Sequence, residues 1–319
     1  LFWVGCMGSF DDRAKKITVA FARILQAANV RFAILGQEET CHGDPARRMG
    51  NEYLYQMLAK GVIETLDGYH VKTIVTFCPH CFHQMGSEFP DIGGNYEVIH
   101  HTDYIERLLE AGRVPLDTEH GERLKVAYHD SCYLGRYNDI YDAPRNALKR
   151  ALPIMELVEP PRTKSRGMCC GAGGGRMWME ENVGKRVNVE RSEELLATGA
   201  DQIAVACPFC MTMITEADAK IWLCDTLGAD DSVMRRLTRL VELLLEENER
   251  QNLVAKGTLP HVWVRHIIDS AQLLHVSLIE RRYLLRLRSH KRHHIESKYF
   301  HLIVLDCEWH IEYLFEVEQ

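Results

Sequence analysis

The sequence predicts an α/β protein: two tandem units with mainly parallel sheets, followed by an α-helical tail. Three observations carry this. Nine of the eleven cysteines fall before residue 211, in two groups with matched spacings. Near-continuous apolar strands alternate with amphipathic helical segments, the pattern of buried parallel sheets covered by helices. Each group of cysteines closes on Cys-Pro-x-Cys at the end of an apolar run, in "TFCPHCFHQM" and "VACPFCMTMI".

The first unit opens with "LFWVGC", a predicted strand ending at Cys6. "KKITVAFARILQAA" and "GNEYLYQMLAKGVIETL" have apolar residues at helical spacing. "VKTIVTFC" is a strand that delivers Cys78, and "YEVIHH" is a further strand. In the second unit "LKVAYHDSC" is a strand ending at or near Cys132, "NVGKRVNVERSEELLATG" is helical, and "QIAVAC" is a strand that delivers Cys207. Cys6 to Cys132 is 126 residues, Cys41 to Cys169 is 128 and Cys78 to Cys207 is 129. So regular a spacing is an internal repeat. The expected boundaries are 1–120 and 121–222 for the two units, 223–274 for a helical segment and 275–319 for a basic, histidine-rich tail.

Composition narrows the class. A hydrophobic content of 46% supports real cores, and a net charge of −7 does not fit a nucleic-acid binder as a whole. No run of eighteen apolar residues is present, so no membrane span is expected, and no basic leader or cleavage site suggests a signal peptide. The chain starts without Met and inside a predicted strand, so it is expected to continue a longer polypeptide or to have a misplaced start. A disulfide-stapled secreted module would be shorter and more evenly spaced; this cysteine usage suits a metal or cluster protein of a reducing compartment.

Cys-Pro-x-Cys at a strand end places both thiols near a helix N-terminus. Proline is at ease there, and the positive end of the helix favours thiolates. Thiolates ligate metals and also exchange disulfides, so one such pair does not decide between zinc, an iron–sulfur cluster and redox chemistry. The first group, Cys6, Cys41, Cys78 and Cys81, suits zinc or a cluster. The second, Cys132, Cys169, Cys170, Cys207 and Cys210, has one thiol more than a mononuclear zinc site takes, which leans toward iron and sulfur. "GAGGG" at 171–175 lets the backbone come close and direct N–H groups at sulfur, and Gly171, Gly173 and Gly174 are candidate contacts with the group held there, as is Gly43 in the first unit. No GKS or GKT follows, and G-x-G-x-x-G is absent, so a nucleotide site is not predicted.

A cysteine, a Cys-Cys-Gly some 37 residues on and a later Cys-Pro-x-Cys resemble the CCG domain, which occurs in duplicate in the catalytic subunit of heterodisulfide reductases and in related oxidation proteins. "CHGDPARRMGNEYLYQ", "VTFCPHCFHQM" and "YEVIHHTDYIERLLEAGRV" resemble in particular the branch working between electron-transfer flavoprotein and menaquinone. The resemblance spans about residues 1–218. It implies that Cys132, Cys169, Cys170, Cys207 and Cys210 ligate a non-cubane [4Fe-4S] cluster, with Cys169 and Cys170 at the reacting centre. The first unit reads Cys41-His42 where the second has a doublet, so Cys6, Cys41, Cys78 and Cys81 are expected to hold an ordinary [4Fe-4S] cluster, with His42 beside the ligands or facing solvent. Implied partners are an electron-transfer flavoprotein or ferredoxin-type protein and a membrane quinone-reactive part absent from this chain; nucleic acid is not expected. The implied location is the cytoplasm, at the membrane's cytoplasmic face through missing parts or partners. The function implied is electron relay to a quinone-linked or disulfide acceptor, with a structural zinc or thiol protein, or an RNA-binding fusion through the tail, as the alternatives.

Around the cysteines, His129, Asp130, His100 and His101 are read as strand-end residues that cap loops or tune a cluster by hydrogen bonding. His80 is read as a surface residue at a helix start. Arg47 and Arg48 are placed to meet an anionic substrate, a partner's acidic patch or Asp44. Met177, Trp178 and Met179 are expected to pack on the cluster loop and exclude water.

After Cys210 the second unit runs out in "MTMITEADAKIWLCDTLG", and a charged helix follows in "DDSVMRRLTRLVELLLEENERQNLV". Residues 232–274 resemble the N-terminal helices of the RsmG-type 16S rRNA methyltransferase. Such an enzyme needs a glycine-rich cofactor loop downstream, yet residues 275–319 contain no glycine, so methyltransferase activity is not expected. A fusion or frame error joining two neighbouring genes is the expected explanation. The basic run "IERRYLLRLRSHKRHHIESK" suits RNA, phosphate, anionic lipid or a plain surface helix. Cys224 and Cys307 lie outside the repeat and are read as free thiols, with Cys307 near His310 a weak metal signal.

Overall fold

The computed structural model describes residues 1–116, 123–179, 184–251, 253–254, 259, 262–268 and 301–304. Two compact units divide the chain, one made of Leu1–Met213 with Phe300–Gln319 and the other of Ile214–Tyr299. The first contains both cysteine repeats.

The first repeat runs β1 (Phe2–Trp3), α1 (Gly5–Phe10), α2 (Asp12–Ala27), α3 (Asp44–Arg48), α4 (Glu52–Gly68), β2 (Thr73–Thr76), α5 (Pro79–His83), β3 (Glu97–His100) and α6 (His101–Glu110). Its sheet has the order β1-β2-β3, all parallel. Helix α2 begins where the Asp11 carboxylate accepts from the N–H groups of Arg13 and Ala14, and it buries Ile17, Phe21, Ile24 and Leu25 at helical spacing. Phe21 meets Phe2 of β1 edge to face, with ring centroids 5.0 Å apart.

The second repeat runs β4 (Lys125–His129), α7 (Asp142–Ala151), β5 (Glu156–Val158), α8 (Val187–Leu196), β6 (Gln202–Val205) and α9 (Pro208–Leu227). Its sheet has the order β5-β4-β6-β7, again parallel, with β7 formed by His301–Val304. Val126, Tyr128, Leu134, Leu148, Ala204 and Ala206 pack into its core. The two sheets keep one register. Trp3 pairs with Thr76 ahead of Cys6 and Cys78, and His129 pairs with Val205 ahead of Cys132 and Cys207. The predicted tandem α/β arrangement with parallel sheets is the architecture observed.

The first strand is shorter than "LFWVGC" suggested. Gly5 has φ +77°, a backbone only glycine adopts without strain, and it turns the chain from β1 into α1, so Cys6 lies in a helix. In the second compact unit, α10 (Asp231–Asn248) starts at Asp230, whose carboxylate accepts from the Val233 N–H. There Ala219, Leu223, Val241, Val262, Trp263 and Ile268 form a small core. Among the described residues no helix is long and apolar enough to cross a membrane. The basic run at 279–298, Cys307 and His310 lie outside the described residues.

Candidate metal centre

Cysteines reach the site from three kinds of position: the turn after a first strand, a glycine loop, and the start of a helix after a second strand. Cys78 is the N-cap of α5, with Pro79 at the first helical position and Cys81 one turn on. Cys207 and Cys210 stand the same way about Pro208 at the start of α9. The two glycine turns match. Gly43 has φ +90° and its N–H donates to Cys41 Sγ at 3.4 Å; Gly171 has φ +91° and its N–H donates to Cys169 Sγ at 3.3 Å. Gly174 and Gly175 also have positive φ, whereas Gly173 does not.

Gly43 leaves no room for a side chain. A Cβ there would lie 3.0 Å from the Tyr55 ring and 3.1 Å from the Tyr55 carbonyl oxygen. Gly43→Ala is expected to destabilise the fold by at least the ~1–2 kcal/mol of a left-handed non-glycine residue. Chemical denaturation checks this; an unchanged midpoint would mean that the turn relaxes freely.

In the first repeat Cys78 and Cys81 hydrogen-bond to each other, and Cys6 is in electrostatic contact with Cys78 and Cys41. Burial, with those neighbouring thiols, pushes the Cys6 thiol up to about 12. Glu39 ties the loop bearing Cys41 to the turn just before Cys6, its carboxylate accepting from the N–H groups of Val4 and Gly5. His42 is buried, with Nε2 3.0 Å from Cys81 Sγ, and burial pulls its imidazole down to about 4 against the field of Asp44. It therefore sits beside a ligand candidate and not in solvent. A cleft lined by Trp3, Cys6, Cys41, His42, His80 and Cys81 opens at this point.

In the second repeat the five thiols act on one another in one continuous run, Cys132 on Cys169, Cys169 on Cys170, Cys170 on Cys210 and Cys210 on Cys207. The hydrogen bond with Cys169 and then burial push Cys132 up, and the bonds from Cys132 and Cys170 hold Cys169 low. A ring nitrogen of His129 and the Sγ atoms of Cys170 and Cys210 all lie within 4.8 Å of one another, a grouping able to hold a metal ion. His129 is buried at the end of β4, its Nδ1 accepts from Arg191 Nε at 3.0 Å, and burial, then the Arg191 charge, lower its imidazole to about 3.

His80 is not the surface residue that its helix-start position suggested. Its Nδ1 is 2.9 Å from Asp44 Oδ2, it hydrogen-bonds Cys207 of the second repeat, and its ring packs against Tyr133 and Phe209 with centroids at 4.2 and 4.8 Å. Burial opposes ionisation of Asp44, yet the hydrogen bond from His80 and the nearby cations hold its carboxyl near 2. Arg48 donates to Asp44 at 2.9 Å, and Arg47 and Arg48 both donate to Glu88, so these arginines meet internal carboxylates. His100 caps α6 through Thr102, and His101 packs between Phe21 and Phe77. Trp178 and Met179 are 61% and 51% exposed, so they shield the glycine loop only in part: Trp178 meets Phe209 edge to face, and the Met179 methyl lies 4.0 Å from the place a Cβ of Gly175 would take. Cys224 is exposed.

Sequence reading missed Glu39, Glu88, Tyr133, Phe209, Arg145 and Arg191. For Arg191 a signal existed. Asn188, Arg191, Ser192 and Leu195 form the buried stripe of α8, and polar residues at the apolar positions of a helix mark a built site.

The family model for the cysteine-rich domain, CCG, matches residues 1–86 and again 126–215. The chain is 49% identical over 214 residues to the probable iron-sulfur-binding oxidoreductase FadF of Bacillus subtilis, covering 67% of this chain and 30% of that protein. It is 45% identical over 223 residues to the EtfAB:quinone oxidoreductase of Syntrophomonas wolfei, covering 68% and 31%. The chain thus spans about a third of the length of these relatives. A further 67 residues, 21% of the chain, are 70% identical to ribosomal RNA small subunit methyltransferase G of Novosphingobium aromaticivorans, of which they cover 29%.

Proposed function

The chain belongs to the cysteine-rich CCG family, with the domain in duplicate, and from that premise we propose that it is an iron–sulfur electron-transfer module of the heterodisulfide-reductase-like kind. In this reading Cys6, Cys41, Cys78 and Cys81, within 1–120, hold an ordinary [4Fe-4S] cluster. Cys132, Cys169, Cys170, Cys207 and Cys210, within 121–222, hold a five-thiolate, non-cubane one. Electrons pass between a flavoprotein or ferredoxin-type partner and a quinone-linked or disulfide acceptor, with the quinone-reactive part outside this chain. The names of the oxidoreductase relatives support the partner class. Work at the cytoplasmic face of a membrane goes with that partner class.

One observation carries the reading: five sulfurs in a single contact chain, three of them fully buried. The donor set fits. Crowded thiols hold one another's protons, and a multi-iron centre would take every one as thiolate, whereas a mononuclear zinc ion accepts only four. Such clusters supply one-electron transfers at a potential set by charge, hydrogen bonds and solvent access. The chain's own part is to hold the thiolates, to aim the Gly43 and Gly171 N–H groups at sulfur, and to keep water off with Tyr133 and Phe209. If a disulfide is the acceptor, Cys169 and Cys170 mark where it is cleaved. Methyltransferase activity is not proposed, since the likeness covers 29% of that enzyme.

Iron and acid-labile sulfide per chain, measured after anaerobic purification, test the reading. About eight of each is expected for two four-iron clusters, with two distinguishable EPR signals. Zinc without sulfide would overturn it and return the repeat to a structural role.

A further inference from the structure

We infer that Arg191 fixes His129 in the tautomer carrying its proton on Nε2, so that His129 donates a hydrogen bond toward the group held by the second cysteine set and does not ligate it. This rests on the cluster reading above.

Arg191 is fully buried in α8 and is held on three sides. Its Nε donates to His129 Nδ1 at 3.0 Å, and its Nη1 donates to the Arg162 carbonyl and to Glu194, both at 2.9 Å. A guanidinium has only donors, so Nδ1 must present its lone pair to Arg191. In a neutral imidazole the proton then sits on Nε2. Nε2 is buried and has no hydrogen-bond partner among the described residues, while a ring nitrogen lies within 4.8 Å of the Cys170 and Cys210 sulfurs. Ligation needs a nitrogen lone pair, and neither nitrogen has one to give: one is engaged by Arg191 and the other bears the proton. What His129 offers is an N–H, which stabilises added negative charge on sulfur and favours the reduced state.

The first repeat gives independent support. The register that pairs His129 with Val205 pairs Trp3 with Thr76, so Trp3 holds the equivalent place ahead of Cys6. Trp3 Nε1 is likewise buried without a partner among the described residues, and Trp3 lines the cleft with Cys6 and Cys41. An indole N–H donates and cannot ligate. Two unrelated side chains at one structural position share a single property, a buried ring N–H without a partner among the described residues, in a residue that lies beside the thiols. Arg191 is a positioning residue, acting through His129.

Pulsed EPR and potentiometric titration of the anaerobically purified chain test this. In the unmodified protein the second cluster should show an exchangeable proton coupling in D2O and no directly bonded nitrogen. His129→Leu should keep its iron and sulfide but shift the reduction equilibrium about tenfold toward the oxidised form, which is ~59 mV for one electron. Arg191→Met should give most of the same shift, Arg191→Lys should restore part of it, and the double variant with His129→Leu should show no further change. A strong bonded-nitrogen coupling in the unmodified protein overturns the inference while leaving the cluster reading intact, as does an Arg191→Met shift that persists in the His129→Leu background. Absence of iron and sulfide overturns both.

Discussion

Cys170→Ala is expected to abolish the EPR signature of the five-thiolate cluster, while His42→Cys creates a second such signature in the first repeat. Cys170 is buried midway along the sulfur chain, with Cys169 on one side and Cys210 on the other. Alanine removes one sulfur and little volume, so the loss should fall on the metal centre more than on the fold. The signal from the first set should persist, since Cys6, Cys41, Cys78 and Cys81 are untouched. The reciprocal change follows from the matched turns. Gly43 and Gly171 share their φ and their N–H bond to the cysteine sulfur two residues back, so position 42 stands in the first repeat where Cys170 stands in the second. His42 already contacts Cys81 at 3.0 Å, so a thiol placed there enters the same neighbourhood. Survival of the five-thiolate signal in Cys170→Ala would show that the fifth thiolate is not a ligand. An unchanged first-set spectrum in His42→Cys would show that more than the doublet separates the two sites.

What could be read from the sequence was whatever repeats or is local. Helices α2, α4 and α8 announce themselves by periodicity, and Cys-Pro-x-Cys marks a helix start because proline belongs there. Cys6 was misplaced because Phe2, Trp3 and Val4 read as an apolar strand, and nothing local says that Gly5 adopts φ +77°. His80 was misjudged for a different reason. Its partners are Asp44, 36 residues earlier, and Cys207 in the other repeat, and no spacing rule reports a contact between repeats. The doublet's departure at His42 was visible, but that its ring would be buried against Cys81 depended on how Gly43 turns the loop. Trp178 shows a partial outcome: a large aromatic beside a glycine ramp suggests packing, and it does meet Phe209 edge to face, yet it stays 61% exposed. Polar networks that join distant loops are set by tertiary structure, and they are where the sequence was silent.

The largest stability effect is expected at such a network. Asp130→Ala should destabilise the first compact unit by about 3 kcal/mol, the lower end of the range for breaking a buried ion pair. Asp130 accepts from Arg145 Nη1 and Nη2 at 2.8 and 2.9 Å, from the Thr163 hydroxyl at 3.1 Å and from the Lys164 N–H at 2.7 Å. Burial opposes its ionisation, but the Arg145 bonds hold its carboxyl below the usual range. Without the carboxylate, Arg145 stays buried over the Tyr128 ring with Glu159 as its remaining counter-charge, through bonds of 2.7 and 2.9 Å. That residual pairing is why the cost lies at the low end. Removing both partners should cost less than the two single changes together, because a methionine at 145 leaves no charge to strand; a coupling of about 1–3 kcal/mol is expected for groups in direct contact. Denaturant midpoints for Asp130→Ala, Arg145→Met and the double variant measure it, and strict additivity would refute the coupling. The position has a consequence for the metal centre too. Asp130 fastens the end of β4 to Thr163 and Lys164 and, through Arg145, to α7, and the next turn carries Cys132. Asp130→Ala should therefore release second-set iron faster than first-set iron during chelation, even under conditions where the chain stays folded. Equal rates of release would confine Asp130 to a purely global role.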